Sequence, residues 1–132
     1  MFGNSQMGGV NLGFPDVCLT PTPAGIPVPI PYPNISFGPV GVMPAPNVLW
    51  MCTPAHHLMT TPVVSIGDTM GIATGVASGT VMSATRPITG AFTVLVTGMP
   101  ATRMTSMNIQ NNTNCPGMTI VPAQVKVLVL AP

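Results

Sequence analysis

An all-β fold, compact and assembled from short strands in a pseudo-threefold arrangement, is what this chain of 132 residues predicts. Three observations carry that expectation. Gly and Pro supply 31 residues and recur along the whole chain, too often for any long helix to propagate. Val-rich runs of strand length recur, each closed by a turn signal. Only 4% of residues are charged while 46% are hydrophobic, so the surface is sparsely charged and suited to cover by a partner.

The same composition excludes several classes. Ordinary globular chains carry about 25% charged residues. Arg86, Arg103 and Lys126 are the only Lys or Arg, too few for a basic patch, which excludes a nucleic-acid partner. Disorder through charge and low hydrophobicity is excluded by the apolar content. Every apolar run is broken by Pro, Gly or Thr well before the ~18 residues of a membrane-spanning helix. The start, Met1-Phe2-Gly3-Asn4-Ser5-Gln6, has neither the basic nor the apolar region of a signal peptide. The length suits one domain, residues 1–132.

Taken in order, the elements begin with a Pro-rich extended segment at about 15–46, which holds 10 of the 17 prolines. At its centre, Ile26-Pro27-Val28-Pro29-Ile30-Pro31-Tyr32-Pro33 alternates Pro with an apolar residue. Helix is impossible there, and the remaining N–H donors of Val28, Ile30 and Tyr32 share one edge. The segment can therefore pair on one side only, as an edge strand or arm, with Val28, Ile30 and Tyr32 expected to seek burial. Three later runs echo one another: Val48-Leu49-Trp50-Met51-Cys52-Thr53-Pro54-Ala55, Val94-Leu95-Val96-Thr97-Gly98-Met99-Pro100-Ala101, and Val127-Leu128-Val129-Leu130-Ala131-Pro132. A second echo links Pro62–Asp68 with Pro100–Ser106, followed by Gly79–Met82 and Gly117–Val121. Three copies of a strand–turn–strand unit in one chain imply a pseudo-threefold body, the shape that fits the end of a trimer.

The chemistry-bearing residues are few. Cys18, Cys52 and Cys115 are odd in number and do not suggest a disulfide framework. With the only histidines, His56 and His57, they are the available Cys and His metal ligands, and Cys52 and His56 form a plausible local pair. The alternative is buried free thiols and a histidine pair bonded to backbone carbonyls. Asp16 and Asp68, the only acids, read as turn formers. Without paired carboxylates or a phosphate-binding loop, the chain is not expected to be an enzyme. Trp50 reads as a core anchor, and the 11 scattered methionines as flexible core filler.

Phe14-Pro15-Asp16-Val17-Cys18-Leu19-Thr20-Pro21, followed by Pro27-Val28-Pro29-Ile30-Pro31-Tyr32-Pro33-Asn34, resembles the N-terminal signature of PAAR-like proteins. Gly75–Gly79, Pro100–Met104 and Gln124–Leu128 fit the same family, so the resemblance runs from about residue 2 to 131. It implies a cone-like structural tip that caps and sharpens the trimeric VgrG needle of a bacterial type VI secretion machine. One copy per VgrG trimer would help pierce the target membrane and deliver effectors. An effector or a loading chaperone are further implied partners, with transient membrane contact during injection. The chain would sit in the cytoplasm before firing and then be exported. The alternative is a β-rich adaptor that couples effector cargo to the needle without piercing. The chain reaches Pro132 directly after its last strand unit, so no C-terminal toxin extension is expected. PAAR tips are also described as holding zinc through His and Cys; here the candidates are Cys18, Cys52, His56, His57 and Cys115.

Overall fold

In the computed structural model, which describes residues 1–130, the chain is all β apart from loops and one 3-10 turn. The strands are β1 (Val10–Thr20), β2 (Val28–Phe37), β3 (Gly41–Val42), β4 (Ala45–Trp50), β5 (Thr53–Ala55), β6 (Thr61–Pro62) and β7 (Ser65–Ile66). They continue with β8 (Arg86–Pro87), β9 (Ala91–Val96), β10 (Met99–Ala101), β11 (Met107–Gln110) and β12 (Cys115–Val121). The 3-10 turn, Gly38–Val40, has Pro39 in its first turn, where a missing N–H costs nothing.

A curled antiparallel sheet in the order β7-β2-β1-β12-β11-β8 forms the body. β1 is its spine: Val10–Gly13 pair with β12 on one side and with Asn34–Phe37 of β2 on the other. Beyond Gly13 the register shifts, absorbing Phe14 and Pro15, and Asp16–Thr20 continue against Tyr32–Val28 but no longer against β12. The Pro-rich strand is thus the one-sided strand its missing donors demand; its outer edge meets only the short β7, at Ile35 and Ser36. The burial expected of its apolar residues is not found. Val28 and Ile30 are exposed and only Tyr32 is half-buried, its hydroxyl 2.7 Å from that of Thr20.

Two of the echoing runs are hairpins of the same construction. In β4–β5, Leu49 and Trp50 pair with Pro54 and Thr53; in β9–β10, Leu95 and Val96 pair with Pro100 and Met99. Both two-residue turns, Met51-Cys52 and Thr97-Gly98, have positive φ throughout, the turn that matches strand twist. The equivalence continues past the hairpins: Thr60 N–H donates to His57 O and Ser106 N–H to Arg103 O. The hydroxyls of Thr60 and Ser106 accept the N–H groups of His57 and Arg103 in turn. The repeat is therefore offset by 46 residues, aligning Pro100 with Pro54. Pro62 lies instead in β6, paired with Gly41, so the Pro62–Asp68 echo is not a structural one.

The third unit is completed by residues far away in sequence. Val127–Val129 find their partner in Met1–Gly3: Gly3 N–H donates to Val127 O, Val129 N–H to Met1 O, and Phe2 bridges Leu128. Ala131 and Pro132, the end of the third echo, lie outside the described residues. Asn4, His56 and Thr102 then close a ring around the axis. Asn4 N–H donates to Thr102 O (3.0 Å), Thr102 N–H to His56 O (3.3 Å) and His56 N–H to Asn4 O (2.9 Å). A second cycle repeats it: Gln6 N–H to Pro54 O, Leu58 N–H to Pro100 O, and Met104 N–H to Phe2 O. The apolar core lies between the three units and holds Ala45, Trp50, Ala55, Ala91, Val96, Ala101 and Val129. Ala55 and Ala101 match Gly3, where even a Cβ would lie 2.3 Å from the Trp50 ring.

Candidate functional site

Each unit presents the same pair of faces, because alternate strand residues point to opposite sides. Trp50, Val96 and Val129 turn into the core. Their neighbours Leu49, Leu95 and Leu128 face solvent and are 58%, 60% and 53% exposed. Each of the three units thus exposes one leucine, to nearly the same degree.

At the C-terminal half of β1 the interior is polar. Asp16, Cys18 and Asp68 are completely buried and place one ligand-type atom each within 4.8 Å of one another. The shift after Gly13 brings Asp16 and Cys18 to this side of β1. Asp68 arrives from the loop between β7 and β8, which occupies the edge that β12 leaves open: Leu19 N–H donates to Thr74 O, Ala73 N–H to Leu19 O and Val76 N–H to Val17 O. Gly71 of that loop passes so close that a Cβ there would lie 2.3 Å from Cys18 Cβ. The two acids are therefore not the surface turn formers their local sequence suggests.

Amide donors surround Asp16. Asn34 Nδ2 donates to Oδ2 at 2.7 Å, Asn111 Nδ2 to Oδ1 at 3.4 Å, and Asn114 Nδ2 also to Oδ1. Asn114 is held in place by donating to Val17 O and accepting from Ala77 N–H. Asp68 Oδ2 accepts Met82 N–H at 3.1 Å, whereas Oδ1 is buried without a partner. Burial, and secondarily the charge of Asp16, raises the Asp68 carboxyl above its usual range, against the opposing pull of the Met82 N–H. Burial also pushes the Cys18 thiol up to about 12, with Asp16 and Asp68 adding to it. Cys115 rises to about 12 for the same reasons.

The five Cys and His candidates are not gathered into one ligand set. Cys52 is exposed in the β4–β5 turn, at the position that Gly98 takes in β9–β10. His56 and His57 lie by the threefold ring, each with one ring nitrogen engaged. Gln6 Nε2 donates to Pro39 O and Gly41 O, so Gln6 Oε1 faces His56 Nε2 as an acceptor, at 2.7 Å. His56 Nε2 therefore carries the hydrogen. His57 Nδ1 accepts Met59 N–H at 3.1 Å. Burial, with His57 adjacent, lowers His56 to about 4, and burial lowers His57 as well. Both rings are neutral structural groups at pH 7. Of the candidates, Cys18 alone falls in a group of three ligand-bearing side chains among the described residues, and its companions are Asp16 and Asp68. That group has the chemistry to hold a metal ion.

These features define an all-β module with internal threefold closure, carried on a one-sided Pro-rich sheet. The chain belongs to the toxin PAAR-like domain family, whose profile matches residues 9–117. That span takes in most of the sheet, up to Gly117 of β12, with both hairpins and the Asp16–Cys18–Asp68 cluster; Met1–Gly3 and Val127–Val129, which build the third unit, lie outside it. Membership places the chain among type VI spike- and toxin-associated proteins. No curated protein and no solved structure matches it.

Proposed function

We propose that this chain is the tip that caps and sharpens the VgrG trimer of a type VI secretion machine, one copy per trimer. The observation that carries the reading is the closed ring of Asn4, His56 and Thr102, with its three equivalent strand pairs. A single chain that closes three equivalent strand pairs around one axis offers each subunit of a trimer a similar contact. Leu49, Leu95 and Leu128 supply that contact as apolar side chains left open to solvent. The role is mechanical and not catalytic. A Pro-rich chain with short loops loses little entropy on ordering, which favours rigidity in a body driven through a membrane. Assembly in the cytoplasm, export with the needle, and effector carriage or chaperone loading belong to the same reading.

The test is the stoichiometry of the complex with the VgrG trimer by native mass spectrometry. One chain per trimer supports the tip. Three chains per trimer, or binding away from the needle's end, would replace it with an adaptor that couples effector cargo without piercing.

A further inference from the structure

We propose that Asp16, Cys18 and Asp68 form a binding site for one divalent transition-metal ion of the zinc type. The ligand set differs from the Cys and His set that the family resemblance implies, and the proposal does not depend on needle capping. It rests on three features of the cluster.

The first is spacing. Cys18 Sγ lies 3.4 Å from Asp16 Oδ1 and 3.8 Å from Asp68 Oδ2. A tetrahedral ion with metal–sulfur near 2.3 Å and metal–oxygen near 2.0 Å sets its sulfur and oxygen ligands about 3.5 Å apart. The second is valence. A thiol has one proton and cannot donate to two carboxylates at once, so one sulfur–oxygen approach needs a carboxyl proton or a cation. Asp68 Oδ1, fully buried and without a partner, adds an acceptor that a cation would satisfy. The third is what lies outside. Asn111 and Asn114 direct Nδ2 to both Asp16 Oδ1 and Cys18 Sγ, at 3.8 Å from the sulfur in each case. Amide donors shared by two ligand atoms fix those atoms in place, as the outer partners of a metal site do.

A thiolate among the ligands selects borderline ions such as Zn²⁺ over Mg²⁺ or Ca²⁺. Binding would release the Cys18 proton to solvent, forming the metal–sulfur bond with no change of oxidation state. Held between β1 and the β7–β8 loop, the ion would tie that loop to the Pro-rich strand pair.

The experiment uses the full chain, purified without added metal, for elemental analysis, and its metal-free form for titration with Co²⁺. The expected result is one ion per chain and a thiolate-to-cobalt charge-transfer band that saturates at one equivalent. Cys18→Ser should abolish the band, and Asn114→Ala should weaken Co²⁺ affinity by about 10–100-fold. Cys115→Ser should leave the band in place. Wild-type protein that carries no stoichiometric metal and develops no band overturns the site, whatever the variants do. Loss of the band in Cys115→Ser but not in Cys18→Ser would also overturn it.

Discussion

The three exposed leucines make the sharpest demand on the capping proposal, because a threefold contact must respond symmetrically to perturbation. Leu49→Ala, Leu95→Ala and Leu128→Ala each remove three carbons from a side chain that is more than half exposed in the free chain. At roughly 0.8 kcal/mol per buried carbon, each loses about 2 kcal/mol of binding when the contact is dry. That is roughly a 30–60-fold rise in Kd with the VgrG trimer. Equivalence makes the prediction stronger than a single number: the three values should agree within a few-fold. In the capping proposal each leucine would face a separate third of the partner, so the triple variant should lose about the sum, roughly 6–7 kcal/mol. The free chain should be almost untouched, since exposed substitutions stay within about 0.5 kcal/mol of neutral.

The assay is biolayer interferometry against immobilised VgrG trimer, with thermal unfolding of each free variant as the control. One leucine exceeding the others by more than tenfold would show an asymmetric contact and remove the basis for one tip per trimer. Wild-type binding by the triple variant would refute the assignment of this face altogether.

Other predictions follow from the same geometry. Cys52 has φ 63° where its counterpart Gly98 has 83°, and a left-handed L-residue costs about 1–2 kcal/mol, of which the entropy of a glycine returns about half. Cys52→Gly should therefore stabilise the chain by about 0.5–1 kcal/mol, seen as a higher denaturant midpoint. Gly3→Ala would put a methyl 2.3 Å from the Trp50 ring and should destabilise by about 1–3 kcal/mol with altered Trp50 fluorescence. His56 falls from 6.5 to about 4 on folding, so the unfolded chain binds the proton more tightly. Its contribution is complete above pH 6.5 and is lost as pH falls towards 4, by roughly 3 kcal/mol at most. Urea titrations from pH 7.5 to 4.5 should show that decline, and His56→Gln should reduce it, leaving the slope owed to His57 and the opposing one owed to Asp68; an unchanged slope would contradict the burial argument.

Sequence reasoning reached the parts of this fold that are written locally. Val48–Ala55 and Val94–Ala101 spell the same alternation and turn, so their likeness is visible in one dimension. The prolines of β2 remove N–H donors from one edge, and that chemistry acts wherever the strand lies. What escaped depends on distant partners. The second strand of the third unit is Met1–Gly3, and nothing near Val127 says so. Asp16 and Asp68 look like turn residues by their neighbours, and only the shift after Gly13 and the path of the β7–β8 loop make them face one another. The usable signal was scarcity: a chain with two acids in 132 residues has reason to place them. The methionines erred in the opposite direction. Eight of them are exposed and none is buried, because the space between the hairpins is filled by Ala and Val.

The distribution of polarity bears on what the free chain is for. Ten hydrophobic residues are buried among the described positions, against eighteen polar or charged ones, while thirty large hydrophobic side chains are exposed. A core so small supplies little of the usual apolar driving force. The difference must come from the backbone ladders and from side-chain networks such as Asn34–Asp16–Asn114, which specify one arrangement because an unpartnered buried polar group is costly. Such a body fully buries none of its described Leu, Ile or Met side chains, and in water alone those groups invite association. With both acids buried, described side chains add no negative charge to the surface to oppose it. A rigid polar interior beneath an apolar exterior therefore suits a part whose outside is meant to be covered. Three of the exposed groups repeat around one axis, and that repetition separates a specific joint from a merely greasy surface.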